Sequence, residues 1–282
     1  LKWEITIGKD AADGQRGLLY LPTEVMTDET GDIYILQKGS IEKYDSAGKH
    51  VLSIPLKKGK GVGEFAGPSS LARDEKGFLY VWDKYLTRVS KLDPEGNFVS
   101  SFKVGSLFNH MALWGNKEFV FLGLSQEQIL HVYSAEGKEE RSFGSPFELV
   151  PDVPAFATSP LAWFLQGDTI WVANPLQYEI RQYVGEKLVA TIKGPDQFPR
   201  PRVREGGGSI GVGISKGIFG LATCGGRLVA TVASNERTLD VFDLKSDKLL
   251  SRVKCPPTVR NSDGHGTLYF IDETTVMLGR LE

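Results

Sequence analysis

Residues 61–83 read GVGEFAGPSSLARDEKGFLYVWD. A glycine-rich stretch closed by Pro68 leads into a short alternating segment, a turn ending at Gly77, and an apolar run closed by Asp83. Found once, this pattern is a hairpin; found repeatedly, it specifies an architecture. The spacing Pro68-x8-Gly77-x-Leu79-Tyr80 recurs as Pro22-x8-Gly31-x-Ile33-Tyr34 and as Pro257-x8-Gly266-x-Leu268-Tyr269. Looser copies fill the interval at Phe119-Val-Phe-Leu122, Ile170-Trp-Val-Ala173 and Leu228-Val-Ala-Thr231. Each follows a turn, at Gly115-Asn116, Gly167-Asp168 and Gly225-Gly226.

The six apolar runs begin at 33, 79, 119, 170, 228 and 268, in steps of 46, 40, 51, 58 and 40. That period suits one four-stranded blade per repeat, with insertions where the steps are long. A third segment with period two follows each of the first five runs: SIEKYD, TRVSKLD, QILHVYS, EIRQYV and TLDVFD. A fourth comes after a short turn: HVLSIPL, NFVSSFKV, EERSF, KLVATI and KLLSRV. Alternation punctuated by turn residues marks antiparallel β-structure, and no stretch carries a long helical period. The sixth repeat stops after its third segment at Met277-Leu-Gly-Arg280, whereas the chain opens on KWEITIGKD, which reads as a fourth segment. The sequence therefore predicts an all-β, six-bladed β-propeller of four-stranded antiparallel blades, closed by the N-terminal strand joining the last blade, which removes an open sheet edge. The expected organisation is a single domain, 1–282, with approximate blades 17–65, 66–109, 110–156, 157–200, 214–256, and 257–280 plus 1–10.

The connector Gly59-Lys-Gly-Val-Gly-Glu-Phe-Ala-Gly-Pro68, the run Gly77-Phe-Leu-Tyr-Val-Trp-Asp83, and Thr87-Arg88-Val89-Ser-Lys-Leu-Asp93 followed by Glu95-Gly96 resemble six-bladed NHL-repeat-type propellers of the TolB-like kind. The resemblance spans nearly the whole chain and is best in the second repeat. The family's Asp-Asn-Arg turn is represented only by Asp83 and Arg88. The resemblance implies that first strands line a central channel, and that binding occurs on the face where blade-to-blade connectors and second-to-third-strand loops open. It also implies a bacterial protein, exported to the periplasm or outside the cell. The fold hosts many activities, so it does not select one.

Composition sets further bounds. The 282 residues are 41% hydrophobic and 24% charged, with a net charge of −2, so bulk charge favours neither a nucleic acid nor a polybasic membrane contact. No apolar run approaches the roughly 18 residues that span a bilayer. The chain starts on Leu1 without Met and shows no signal peptide, which reads as a processed or trimmed chain. Cys224 and Cys255 read as unpaired structural thiols. A monomer is expected.

Function is sought in unusual loops. Gly144-SPFELVPDVPAFATS-Pro160 and Gly194-PDQFPRPRVREGGGSIGVGIS-Lys216 flank the fourth blade and are placed to wall one side of the channel mouth. Arg200, Arg202 and Arg204 are the expected anion contacts, as forks for a carboxylate, phosphate or sulfate; the alternative is a solvated loop. Phe147, Phe156 and Phe198 are the aromatic candidates for ligand contact, whereas Trp82, Trp163 and Trp171 read as packing. The repeat frame places Glu24, Lys38, Asp83, Tyr85, His110, Asn174, Tyr178, Asn235, Arg237, Asp272 and Glu273 on the same face. Of these, His110, Tyr85 and Tyr178 join the candidate ligand contacts. Glu24, Asp83, Asn174 and Asp272 are the candidate oxygen ligands for a divalent cation such as calcium. The competing reading is that the Asx residues cap local turns.

His50, His110, His131 and His265 are dispersed, with His265 assigned to the opposite face; no zinc spacing or nucleophile elbow occurs, so no catalytic residue is named. The preferred reading is a non-catalytic propeller binding a peptide, glycan or partner protein at the channel mouth. The alternative, implied by similarity to calcium-dependent lactonases and amidating-enzyme lyase domains, is a metal-dependent hydrolase or lyase.

Overall fold

The computed structural model describes residues 1–8, 19–115, 118–206, 209–233, 236–255, 257–263 and 266–281. Six four-stranded antiparallel sheets are arranged as blades around a channel. Blade one comprises Glu24–Thr27, Ile33–Gln37, Ser40–Tyr44 and His50–Pro55; blade two Pro68–Arg73, Leu79–Asp83, Arg88–Leu92 and Phe98–Lys103. Blade three comprises His110–Trp114, Glu118–Ser125, Gln128–Ser134 and Glu139–Phe143; blade four Trp163–Gln166, Thr169–Ala173, Glu179–Val184 and Lys187–Lys193. Blade five comprises Gly217–Cys224, Arg227–Ala233, Arg237–Asp243 and Leu249–Lys254. Blade six has Thr258–Ser262, Thr267–Ile271 and Val276–Arg280, and takes its outer strand, Lys2–Ile7, from the other end of the chain. Lys2 pairs with Arg280 and Ile7 with Val276, so the ring closes as the sequence predicts.

The repeated residues have a shared physical task. In blade one, the Asp28 carboxylate accepts the main-chain N–H groups of Thr30 and Asp32, and Tyr34 donates its hydroxyl to the same carboxylate at 3.3 Å. In blade two, Asp74 accepts from Lys76 and Phe78 N–H, and the Tyr80 hydroxyl donates to it at 3.0 Å. The repeated spacing thus encodes a side-chain-capped turn that the following strand secures from its own second position. Gly77 closes that turn at φ 87°, a conformation that other residues adopt at a cost.

Burial explains the composition of each strand. The second strands Ile33–Gln37, Leu79–Asp83 and Thr267–Ile271 are buried along their whole length, because both faces meet neighbouring blades. They are accordingly continuous apolar runs rather than alternating ones. The fourth strands, such as Phe98–Lys103 and Leu249–Lys254, are mostly exposed. Each blade interface has its own core: Leu36, Ile54, Leu71 and Val81 between blades one and two, and Trp82, Phe108, Phe119 and Phe121 between blades two and three. Trp82, fully buried, donates its indole N–H to the Phe108 carbonyl at 3.2 Å and meets Phe121 edge-on at 5.1 Å. Burying such a side chain contributes about 2–3 kcal/mol.

The third and fourth strands shift register at the same step in five blades, at Lys43/Tyr44, Lys91/Leu92, Val132/Tyr133, Gln182/Tyr183 and Val241/Phe242. A bulge there increases local twist, which each outer strand needs to follow the ring. Among the described residues no helix is long and apolar enough to cross a membrane.

Candidate functional site

Strand parity puts the connectors and the second-to-third-strand loops at one end of the ring, and the remaining turns at the other. The two long connectors are more structured than their sequences suggest. Residues 144–160 include a single 3-10 turn at Ala155–Thr158, and the second connector folds into a hairpin of Arg202–Gly206 with Ser209–Gly213. The alternation Arg202-Val203-Arg204 explains the hairpin: Val203 and Val212 pack inward against Val153, Ala157 and Leu176, while Arg202 and Arg204 point to solvent. Ala157 and Val153 come from the first connector and Leu176 from blade four, so the two insertions share a small core over that blade.

The expected arginine fork does not form. Arg200 pairs with Asp152 at 2.8 Å and also donates to the Pro151 carbonyl, joining the two connectors. Arg202 and Arg204 share the exposed face of the hairpin without Arg200. The aromatic candidates also divide. Phe147 is buried beneath the Arg181 guanidinium, 4.2 Å from its ring centroid, and is structural. Phe198 stacks on Tyr178 at 5.3 Å, and Phe156 is 55% exposed. Tyr178 is buried and donates its hydroxyl to Asp240, while its ring, with Phe198, borders a cavity of about 400 Å3. Tyr85 is 71% exposed and lies against Gly67.

The four proposed cation ligands are not brought together. Among the described residues, no three His, Cys, Asp or Glu side chains are grouped so as to hold a metal. Asp83 is fully buried, its carboxylate accepting four main-chain N–H groups: Ala66 at 2.6 Å, Gly67 at 3.0 Å, Tyr85 at 3.1 Å and Leu86 at 3.0 Å. With Arg88, which donates to the Glu64 carbonyl, it staples the preceding connector to its own loop. Asn174 caps the equivalent turn of blade four through Leu176 and Gln177 N–H. Asp272 faces Arg237 at 3.8 Å. Local capping explains the two Asx residues at 83 and 174. Asn235 and His265 lie outside the described residues.

Glu24 is different: it enters the channel. Two adjoining cavities occupy the channel, of about 300 Å3 and about 20 Å3. Glu24, Trp163 and Arg260 border both, and His110 borders the smaller. The His110 ring donates from Nε2 to the Leu161 carbonyl at 2.9 Å, leaving Nδ1 as a buried acceptor without a partner. Burial, then the nearby Arg260 charge, lowers the His110 pKa to about 4, so the ring is neutral. Burial raises the Glu24 carboxyl to about 7, partly offset by Arg260. Arg260 was not among the residues singled out from the sequence. Its signal was present: counted along the repeat its place is that of Val25 and Leu71, with a charge only in the sixth copy. In the strand it is the extra residue of a bulge between Val259 and Asn261, Val259 pairing with Phe270 as Val25 pairs with Ile35.

The Glu24 shift has a testable consequence. An acid with a folded-state pKa above its unfolded value binds more protons when folded, so stability falls as pH rises between about 4.5 and about 7. Glu24→Gln should therefore gain on the wild type by about 2 kcal/mol as urea unfolding is moved from about pH 5 to about pH 8. A difference that stays flat with pH would show a carboxyl hydrated by channel water.

One cluster outside the channel combines Ser, His and Glu. Glu42 accepts from Ser53, from His50 Nε2 at 2.9 Å and from Gln37 at 3.1 Å. The serine hydroxyl donates directly to the carboxylate, and His50 uses one ring nitrogen for both neighbours. No imidazole stands between nucleophile and acid, so this is not a relay.

No family model and no curated protein matches the chain. Solved structures do. A Bacteroides fragilis protein whose name assigns it, provisionally, to the exported proteins aligns with a TM-score of 0.65 at 10% identity, covering 100% of this chain and 94% of its own. The WD40 repeats of RRP9 align at 0.60 with 10% identity, covering 98% and 97%. A streptogramin B lyase aligns at 0.56 with 13% identity, covering 91% and 78%. The NHL-type resemblance rests on the repeat residues alone; what these likenesses show is that the chain has the β-propeller fold.

Proposed function

We propose that this chain is a binding propeller that presents its connector face to a partner protein or peptide carrying an apolar anchor side chain. The observation that carries the reading is a cavity of about 480 Å3 on that face, walled by Leu107, Leu124, Phe156, Ala157, Val212 and Ile214. Leu107 is 66% exposed at its rim, and the wall is drawn from three connectors and the end of the second strand of blade three. Asn109, fixed on Ser159 and the Pro160 carbonyl, holds the first of the long connectors beside it. An apolar recess with a rim of exposed hydrophobic residues is how a rigid scaffold accepts the anchor of a partner. Export from a bacterial cell is part of this reading, supported by the repeat resemblance and by the name of the Bacteroides protein.

The test is selection of displayed peptides on the immobilised folded protein, followed by titration of the enriched sequences. Selected peptides should carry an aromatic or branched apolar residue. They should lose at least about tenfold in affinity against a Leu107→Ser/Phe156→Ser double variant with unchanged thermal unfolding. Peptides indifferent to the double variant, or no enrichment at all, would remove the site from this face.

A further inference from the structure

Arg260 is a cation in the channel that the fold leaves largely unserved. It projects from the innermost strand of blade six and donates one hydrogen bond, from Nη1 to the Phe219 carbonyl at 3.3 Å. Its Nε is buried without a partner. Among the described residues it makes no ion pair; Glu24 acts on it only through space. A guanidinium offers five N–H donors and keeps its proton under ordinary conditions. Placing one in a protein interior is costly unless an anion accompanies it. Structural arginines here show what accompaniment looks like: Arg141 forks Glu118 at 2.6 and 2.8 Å, and Arg252 forks Asp240 at 2.6 and 2.7 Å.

The space beside Arg260 narrows the choice of anion. The larger cavity is walled by Met26, Leu71, Met111, Leu113 and Trp163, and it extends to Gly115 and Gly167, at the turns on the face opposite the connectors. A polyanion would need a second cation. Arg73, the other arginine on the wall, also has a buried Nε without a partner, but its charge is met by Glu29 at 3.3 Å and Asp28 at 3.8 Å. Lys84 and Arg237 contribute only long-range charge, to His110 and Arg260 respectively. Glu24 on the same wall disfavours further negative charge. A single unpaired guanidinium, with Met111, Leu113 and Trp163 on one side of a lining that also carries Thr27, Arg73 and Asn261, suits a monoanion with a small apolar body. We propose that the channel binds a small organic carboxylate, its carboxylate on Arg260 and its apolar body along Met111, Leu113 and Trp163, entering from the face opposite the connectors. This site is separate from the proposed partner-binding recess and does not depend on it.

The probes are benzoate and hexanoate, with benzamide and hexanol as uncharged controls and inorganic phosphate as the polyanion, each titrated calorimetrically into the whole chain. Both acids should bind with Kd in the range of about 10 μM to 1 mM, and the uncharged controls at least about tenfold more weakly. Arg260→Gln should abolish acid binding. Because that change also strips the Phe219 carbonyl of its donor, Leu113→Trp provides a second route: it fills the cavity, leaves Arg260 in place, and should block the acids equally. Thermal unfolding confirms that each variant retains the ring. The proposal is overturned if neither acid binds the wild type, if phosphate binds in preference, or if acid binding survives in a folded Arg260→Gln or Leu113→Trp protein.

Discussion

Asp240→Ala should cost about 3–5 kcal/mol of folding free energy, read as a lowered urea midpoint with an unchanged slope. The Asp240 side chain is wholly buried on the third strand of blade five. It accepts both arms of Arg252 and the hydroxyl of Tyr178, which reaches across from blade four. Arg252 in turn holds Asp196 at 2.9 Å, and Asp196 holds Lys216 at 2.9 Å. Both ends of the connector that carries the hairpin therefore meet at Asp196, which Arg252 links to the Asp240 carboxylate. Removing that carboxylate leaves a guanidinium and a phenol without their buried acceptor. Removing only the phenol, as Tyr178→Phe, should cost about 1 kcal/mol. A loss below about 1 kcal/mol for Asp240→Ala would mean that Asp196 takes over Arg252.

Gly220→Ala should be comparably damaging, for a steric reason. A Cβ built on Gly220 would lie 1.9 Å from the Val259 carbonyl oxygen and 2.9 Å from Thr258 Cγ2. The carbonyl belongs to the innermost strand of blade six and cannot rotate aside as a side chain would. The two strands must part at the channel wall, next to the Phe219 carbonyl that anchors Arg260. The expected loss is at least about 3 kcal/mol. Gly211→Ala in the hairpin is the control: its added carbon would find its nearest neighbour at 3.9 Å, and stability should change by less than about 0.5 kcal/mol. Similar losses at the two positions would show that the blades are not in such close contact at residue 220.

What could be read from the sequence followed the range of the interactions. The Asp28–Tyr34 and Asp74–Tyr80 turns close within six residues, so their spacing repeats and the repeat reveals the blades. Ring closure was legible because an absent fourth segment at one end matched a surplus one at the other. The channel and its mouth depend on partners far apart in the chain. Tyr178 looked like a free loop aromatic until its partner, 62 residues away, was in place. Arg200 looked like one prong of an anion fork, but its partner Asp152 lies 48 residues earlier. The hairpin at residues 202–213 was hidden by its glycines, which masked the alternation of Val203 and Val212. Arg260 broke the pattern of its own repeat, and a position-by-position comparison of sister repeats is the reading that finds it.

The pairing of residues 2–7 with residues 276–280 also imposes an order in time. During synthesis the first strand leaves the ribosome while its neighbour is still nearly the whole chain away. Five sheets can assemble as their residues emerge, but the sixth waits for the last strand. Until then the ring is an open arc, with the core between blades six and one unformed. Its closure demands the longest loop the molecule makes, so that step adds entropy cost at the end of folding rather than at the start. The same contact works in reverse afterwards: residues 2–7 cannot fray without giving up the pairing that holds residues 276–280, and the closed ring resists opening at that seam.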